Sequence, residues 1–505
     1  MNPDTDTDTD TVTAAEALFY QANDLMAQGQ VDAAEAAFRQ ALVLEPDLAE
    51  VHANLAWLLA QQGRFVQAEA AYLHALQLAP DNLQIALNFA VMLAARKRFV
   101  EAEQWYRQIL AQDAGRVPAW SNLGVLLASM QREDEAEACY QQALALAPDY
   151  RKAAFNLAYL LLRQGRYEEG WAMLEARDSL DMLQNLLQDH LPDAPSVQRW
   201  LGQDLGGKSI IILFESGHGD MIQFARYASL LKQRGATRVS CLCHPALKRL
   251  FSSLHGLDDA WAFDEDIANN RTNNLTINDW DYWVAPLSLP GLFGTRLDNI
   301  PADLPYLYTH PEDMDQHADI ISIAGSDLRV GLVWQGNPQF ENDADRSIHA
   351  LQVLQPLAAV VGVHFFSLQK GAGELHADDD ATAAMPLQLS KQLSKQLSTQ
   401  LSTQLTNLAP HIHDFADTAA IILQLNLVLT VDTAVAHLAG ALGKPCWVML
   451  PAYQPDWRWL DGRDDSPWYP GVVRLFRQGK AGDWAGVVQQ VSRQLVALVA
   501  VSGKA

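Results

Sequence analysis

A period of about 34 residues runs through the first third of the chain and restricts what that part can fold into more than any other feature. Turn residues fall at the evenly spaced positions Gly29, Gly63, Lys97, Gln131 and Gly165. Five residues on stand Ala34, Ala68, Ala102, Ala136 and Gly170, and four beyond those stand Phe38, Tyr72, Tyr106, Tyr140 and Leu174. Pro46, Pro80 and Pro148 close three units, and Ala114 stands where the remaining proline would be. The turn residue separates two antiparallel helices, and the small residue lets them approach. The aromatic fills the groove against the next unit, and the proline ends the second helix. Lys97 and Gln131 in place of glycine carry a local cost that leaves the period intact. A single unit cannot bury its own apolar face, so the units must stack.

The pattern resembles the tetratricopeptide (TPR) consensus, and the period matches that repeat's length. It predicts about five repeats over residues 13–177. A second register, Asn54, Asn88, Asn122 and Asn156, recurs at the same interval, on the first helix of successive units. An Asn amide both donates and accepts, so a ladder of them can pair with the backbone of an extended peptide. The protein-modifying O-linked N-acetylglucosamine transferases carry a similar ladder, and that resemblance implies a protein or peptide partner. The alternative, that these residues bond from repeat to repeat, stands beside it.

At 505 residues the chain exceeds one hydrophobic core. Its net charge of −24 repels nucleic-acid backbones and anionic membrane surfaces. Cys139, Cys241, Cys243 and Cys446 are too few and too scattered to staple it, so they read as reduced packing residues with no metal role. Residues 1–12 are acidic and polar, lack the regions of a signal peptide, and read as a disordered tail ending at Thr13, a candidate helix N-cap. No run reaches the ~20 apolar residues that span a bilayer. A cytoplasmic protein without a transmembrane segment is the expectation.

Residues 178–204 read as a helical linker, and from 205 the period changes to short apolar runs alternating with amphipathic stretches, the signature of βα units on a parallel sheet. Strands are predicted at 209–214, 239–244 and 282–286, with helices over 221–234 and 245–254. A second start follows, with strands at 329–335, 364–368, 427–431 and 446–450, and helices over 351–361, 418–425 and 433–442. The fold class is therefore α plus α/β: a TPR α-solenoid followed by two Rossmann-type lobes, 205–325 and 326–505, in a GT-B-like pair. Ligands in such sheets sit beyond the carboxyl ends of the strands. Residues 387–407, with leucine every four positions, read as a low-complexity surface insertion, in part a short helix.

Three segments at strand ends carry candidate chemistry. In E215-S-G-H-G-D, Gly217 and Gly219 permit close backbone approach to a ligand, and Asp220 can act as a base or, more blandly, cap its helix. After G331-L-V-W-Q-G-N-P, Arg346 can neutralise a diphosphate or lie idle on the surface. The neighbouring Asp343-Ala-Asp345 looks like the metal-binding DxD of a different glycosyltransferase fold but is set aside. In T430-V-D-T-A-V-A-H, Asp432 and Thr433 end a strand and open a helix whose free N–H groups suit a diphosphate, and His437 lies one turn on. In S367-L-Q-K-G-A-G-E, Lys370 offers a phosphate contact and Glu374 a ribose contact.

In this order the segments resemble the ADP-heptose-type bacterial heptosyltransferases and, more closely, their TPR-fused relatives, over roughly residues 200–495. The D456-W-R-W and S466-P-W-Y-P segments resemble the TPR-fused relatives specifically. The resemblance implies that Asp220 is the catalytic base, that Asp432, Thr433 and His437 hold the donor diphosphate, and that Arg346 meets the phosphates. Ala434 departs from the family's glycine, and His218 stands where an apolar residue is usual. The implied activity is an inverting, metal-independent glycosyl transfer from a nucleotide sugar, which is a substrate and not a cofactor, to an acceptor hydroxyl. The rival reading is a scaffold whose second half binds a nucleotide and catalyses nothing. An epimerase on the same fold gives the repeats no task.

Overall fold

The computed structural model describes residues 13–190, 197–263, 280–340, 342–371, 373–374 and 405–502. Its contacts divide the chain into two units, residues 1–156 and 157–505.

In the first unit, antiparallel helix pairs follow one another as the period requires. They are Ala14–Ala27 with Val31–Leu44, Ala49–Gln61 with Phe65–Leu78, Leu83–Ala95 with Phe99–Gln112, and Val117–Ser129 with Glu133–Leu146. Thr13 opens the first helix with a capping box: its Oγ1 accepts from the Glu16 N–H at 3.1 Å, and its own N–H donates to Glu16 at 2.8 Å. Ala34, Ala68, Ala102 and Ala136 are wholly buried, as are Phe38, Tyr72, Tyr106 and Tyr140 on the following turn. The turn residues all take left-handed backbone, with φ of 73° at Gly29, 75° at Gly63, 58° at Lys97 and 60° at Gln131. Arg64, Arg98 and Arg132 each reach back to Glu35, Glu69 or Glu103 of the preceding repeat, at 2.5–2.7 Å. The pair Arg151–Arg163 and Tyr167–Leu174 completes the repeat pattern.

The second unit holds two parallel sheets. In the first lobe β1 (Gln198–Arg199), β2 (Ser209–Ile212), β3 (Arg238–Cys243), β4 (Asp259–Ala262) and β5 (Tyr282–Val284) lie in the order β1-β5-β2-β3-β4. In the second, β6 (Leu328–Val333), β7 (Val363–Ser367), β8 (Leu405–Asn407), β9 (Leu427–Val431), β10 (Cys446–Leu450) and β11 (Val473–Arg477) lie in the order β11-β10-β9-β6-β7-β8. The near-continuous apolar runs of β9 and β10 suit strands covered on both faces. The terminal helix Trp484–Ser502 covers one face of the second sheet, seating Val487, Val488, Val491 and Leu495 against Val330, Val363 and Met449. Among the described residues no helix is long and apolar enough to cross a membrane, and all four cysteines are free and buried.

Three expectations need correcting. The helix expected over 221–234 is two, His218–Phe224 and Tyr227–Gln233. The chain breaks where Arg226 turns inward to donate to the Gln223, Pro301 and Trp468 carbonyls. Within the expected linker 178–204, the helix Ser179–His190 packs Leu180 and Leu183 on the first sheet, and β1 is that sheet's edge strand. The end of the expected insertion 387–407 is β8, an edge strand on β7 rather than surface loop or helix; residues 387–404 lie outside those described.

Candidate active site

The first-lobe loop is built on a buried ion pair. Glu215, fully buried, accepts from Arg177 Nε at 2.5 Å, from Ser179 Oγ at 2.6 Å and from the Leu287 N–H at 3.3 Å. Ser216 takes φ of 62°, and its carbonyl lies 3.0 Å from His244 Nε2. That anchoring delivers Gly217 as the N-cap of the helix His218–Phe224 and sets Asp220 in its first turn. Asp220 therefore does not take the N-cap position of the bland reading. Its Oδ2 reaches back to accept the Gly217 N–H at 2.8 Å.

In the second lobe, Asp432 directly follows β9, and Thr433 caps the helix Ala434–Ala441, its Oγ1 accepting from the Val435 N–H at 3.3 Å. His437, one turn on, is buried. Its Nδ1 lies 3.0 Å from the Tyr469 hydroxyl, and its ring stacks on Trp459 with centroids 5.1 Å apart.

These two pieces meet. A Cβ added at Gly219 would lie 2.9 Å from His437 Cδ2 and 3.5 Å from the Ala434 Cα, so only glycine allows the approach seen. The short helix His218–Phe224 of the first lobe and the helix Ala434–Ala441 of the second thus touch at their N-terminal turns. Arg346 sits with its guanidinium 4.1 Å over the Phe340 ring, packs against Gly336 and pairs with Asp343 at 3.4 Å, and its charge opposes the rise of Asp432. Asp343 is buried and accepts from Ser347 Oγ at 2.6 Å, which occupies it in the fold. Lys370 and Glu374 are not drawn into this group. Lys370 donates to the Ala409 carbonyl at 2.9 Å, and Glu374 accepts from the Gly371 N–H at 3.1 Å. Among the Asn residues, Asn54 donates to Asn23 of the preceding repeat at 2.8 Å, and Asn88 accepts from Gln84 at 2.9 Å. At these two positions the amides have partners within the array.

Sequence reasoning gave no role to Arg458, Asp456 or Gln223. Arg458 donates from Nη2 to Asp220 Oδ1, from Nη1 to both Asp456 oxygens at 2.9 and 3.0 Å, and from Nε to Gln223 at 2.5 Å. The D456-W-R-W segment held the signal, but nothing in it says which carboxylate the arginine meets. Its flanking rings build the wall. Trp457 and Trp468 pack on Tyr167 and Trp171, and Trp468 Nε1 donates to the Tyr167 hydroxyl at 2.9 Å.

Burial moves the charges in defined directions. Asp432 is pushed up to about 7 by burial, with the Asp456 carboxylate adding to the rise and Arg346 opposing it. Asp220 is raised by burial against the pull of Arg458, with Asp456 adding to the rise. Burial, then the Arg458 and Arg226 guanidinium groups, hold His437 well below its usual value, so the ring is neutral. Such perturbed groups near strand ends make this a candidate functional site. A cavity of about 470 Å³ on the first lobe, lined in part by Lys248, Arg249 and Asp258, includes none of these residues.

The fold defines a class: tetratricopeptide-type repeats joined to a two-lobed α/β region, whose second lobe is similar in part to the heptosyltransferases. Tetratricopeptide-repeat models match residues 20–82, 67–117, 117–150 and 152–176, and the model of glycosyltransferase family 9 (heptosyltransferase) matches residues 384–449, the stretch holding Asp432, Thr433 and His437. Protein FlbA of Caulobacter vibrioides is 27% identical over 343 residues, 66% of this chain and 52% of its own length. The chain thus spans about half the length of that curated relative. Among solved structures, pilF of Pseudomonas aeruginosa is 20% identical, over 36% of this chain and 93% of its own, with a TM-score of 0.30. MamA from Desulfovibrio magneticus RS-1 is 16% identical over 35% and 97%, with a TM-score of 0.29.

Proposed function

We propose that the chain transfers a sugar from a nucleotide-sugar donor to an acceptor hydroxyl, on a protein or peptide recruited by the repeats. The observation that carries this reading is the meeting, across the two lobes, of the helix Ala434–Ala441 with the helix His218–Phe224, in whose first turn Asp220 stands. Asp220 takes the acceptor hydroxyl's proton, and that oxygen attacks the anomeric carbon from the face opposite the diphosphate, inverting the centre. The bond from that carbon to the diphosphate oxygen breaks. The helix N-terminus capped by Thr433 and the guanidinium of Arg346 receive the departing charge, without a metal ion. Asp432, poised near neutrality, can donate a hydrogen bond to a phosphate oxygen in its protonated form. His437, neutral and bonded to Tyr469, shapes the wall and has only Nε2 to offer a ligand. Lys370 and Glu374, held within the loop after β7 and apart from this group, have no part in this reading.

A thermal-shift panel of nucleotide sugars identifies the donor, and transfer by Asp220→Asn then tests the base. Its kcat is expected to fall by roughly 10²–10⁴-fold, the usual contribution of a general base; undiminished turnover removes Asp220 from the mechanism. One observation favours the scaffold reading: Gly219 packs against Ala434 and His437 with no room for a side chain, so the two lobes are in close contact beside the Thr433-capped helix. Calorimetry separates the two readings, because a scaffold binds nucleotide yet never turns a donor over.

A further inference from the structure

Asp220 is an unusual base candidate, because a guanidinium from a distant part of the chain already holds it. Arg458 is buried and commits all three of its guanidinium nitrogens: Nε to Gln223, Nη1 to Asp456 and Nη2 to Asp220. Its plane is further fixed by aromatic rings, with the guanidinium carbon 4.4 Å from the Trp457 centroid and 5.5 Å from that of Phe224. Such a fork cannot swing freely, so it presents one N–H at one place. A carboxylate offers about four lone-pair sites, and the Gly217 and Arg458 bonds take two. The carboxylate is thus oriented with sites left to accept a proton.

We propose that Arg458 is the positioning residue of Asp220: its buried, ring-packed guanidinium fixes the carboxylate's orientation and supplies the counter-charge that opposes its protonation. The proposal rests on the reading of Asp220 as the base. The charged groups that act on Asp220 are Arg458 and Asp456 on the 456–459 segment and Glu215 on its own loop, and His437 of the helix Ala434–Ala441 stands against the neighbouring Gly219. Glu215 is committed to Arg177, and His437 is neutral. That leaves Arg458 as the counter-charge facing Asp220 among these groups, against Asp456 on the same side. Without it, a buried carboxylate beside a second carboxylate stays protonated to higher pH.

The test compares Arg458→Met and Arg458→Lys with the full chain. In Arg458→Met, the acidic limb of kcat/KM is expected to move up by about one pH unit or more, with kcat at pH 7 down at least about tenfold and donor KM within about twofold. Arg458→Lys keeps part of the limb's position, since a point charge replaces the fork. An unmoved limb overturns the proposal, and a raised donor KM with that limb unmoved makes Arg458 part of the phosphate clamp instead. Thermal unfolding gives a readout free of catalysis. At pH 8, adding Asp220→Asn to Arg458→Met should restore several degrees of Tm, because it removes an unpaired buried charge; at pH 5 it should restore little. Strictly additive melting changes at both pH values would refute the coupling. If Asp220→Asn leaves transfer intact while the melts show the coupling, the transferase role of Asp220 fails and the Arg458–Asp220 link survives.

Discussion

Asp432 shows how a single side chain reports its surroundings. Its carboxyl has an ordinary value near 4 in the unfolded chain and about 7 in the fold, so folding favours the protonated form. A raised carboxyl stabilises the fold fully below its unfolded value, and that contribution is lost as pH climbs through the folded value. Asn cannot ionise. Asp432→Asn should therefore raise Tm relative to the natural chain by little near pH 4, by more through the interval up to about 7, and by a constant amount above it. A scan of Tm against pH checks this; a gain that does not change with pH would show that Asp432 is ionised in the fold. Residue identity and position were legible in the sequence here. The shifted charge was not, because burial and the nearness of Asp456 are products of folding.

At the scale of elements, the contact between the helices His218–Phe224 and Ala434–Ala441 depends on the absence of a side chain. Gly219 lies in helical backbone, where alanine is conformationally welcome, so a Gly219→Ala penalty can arise only from the added methyl. At 2.9 Å from a stacked and hydrogen-bonded imidazole, the methyl has to push His437 or the whole helix aside. Overpacking of this kind costs ~1–3 kcal/mol, measurable by urea unfolding, and should lower kcat as the lobes are wedged apart. A variant as stable and active as the natural chain would mean that the interface yields without cost. Here the sequence was informative in part. Glycine after a strand pointed to close approach, but toward a ligand; the neighbour it admits is a helix from the other lobe, far along the chain. Turn geometry was read more completely. The repeat period placed Lys97 and Gln131 where glycine belongs, and both take the left-handed backbone of the glycines they replace. The break at Arg226 escaped prediction because an amphipathic run says nothing of a guanidinium that must reach carbonyls at 301 and 468.

Across the whole molecule, the division of labour proposed for the two units has a direct consequence. Under that proposal the repeats recruit the acceptor, and the two lobes carry out the transfer. Replacing Asn54, Asn88 and Asn122 together with alanine should cut transfer to a protein acceptor by about tenfold, which corresponds to about 1.4 kcal/mol of lost binding. Hydrolysis of the nucleotide sugar should be unchanged. Equal loss of both activities would instead mean that the amides serve the array's own stability, as the Asn54–Asn23 bond suggests for one of them.

The repeat array was determined by the sequence alone. A period that puts a turn residue, an alanine and an aromatic in fixed succession leaves stacked helix pairs as the way to bury each unit's apolar face, and those contacts are made between neighbours in the chain. The parallel lobes were legible for a related reason: apolar runs separated by amphipathic stretches write βα units locally. Which charges face one another was decided only by the tertiary structure. Asp220 and Arg458 stand 238 residues apart, and they meet because two sheets and a wall of tryptophans bring three loops to one point. No periodicity records such a meeting, since Coulomb attraction and burial depend on distance in space and carry no trace of distance along the chain.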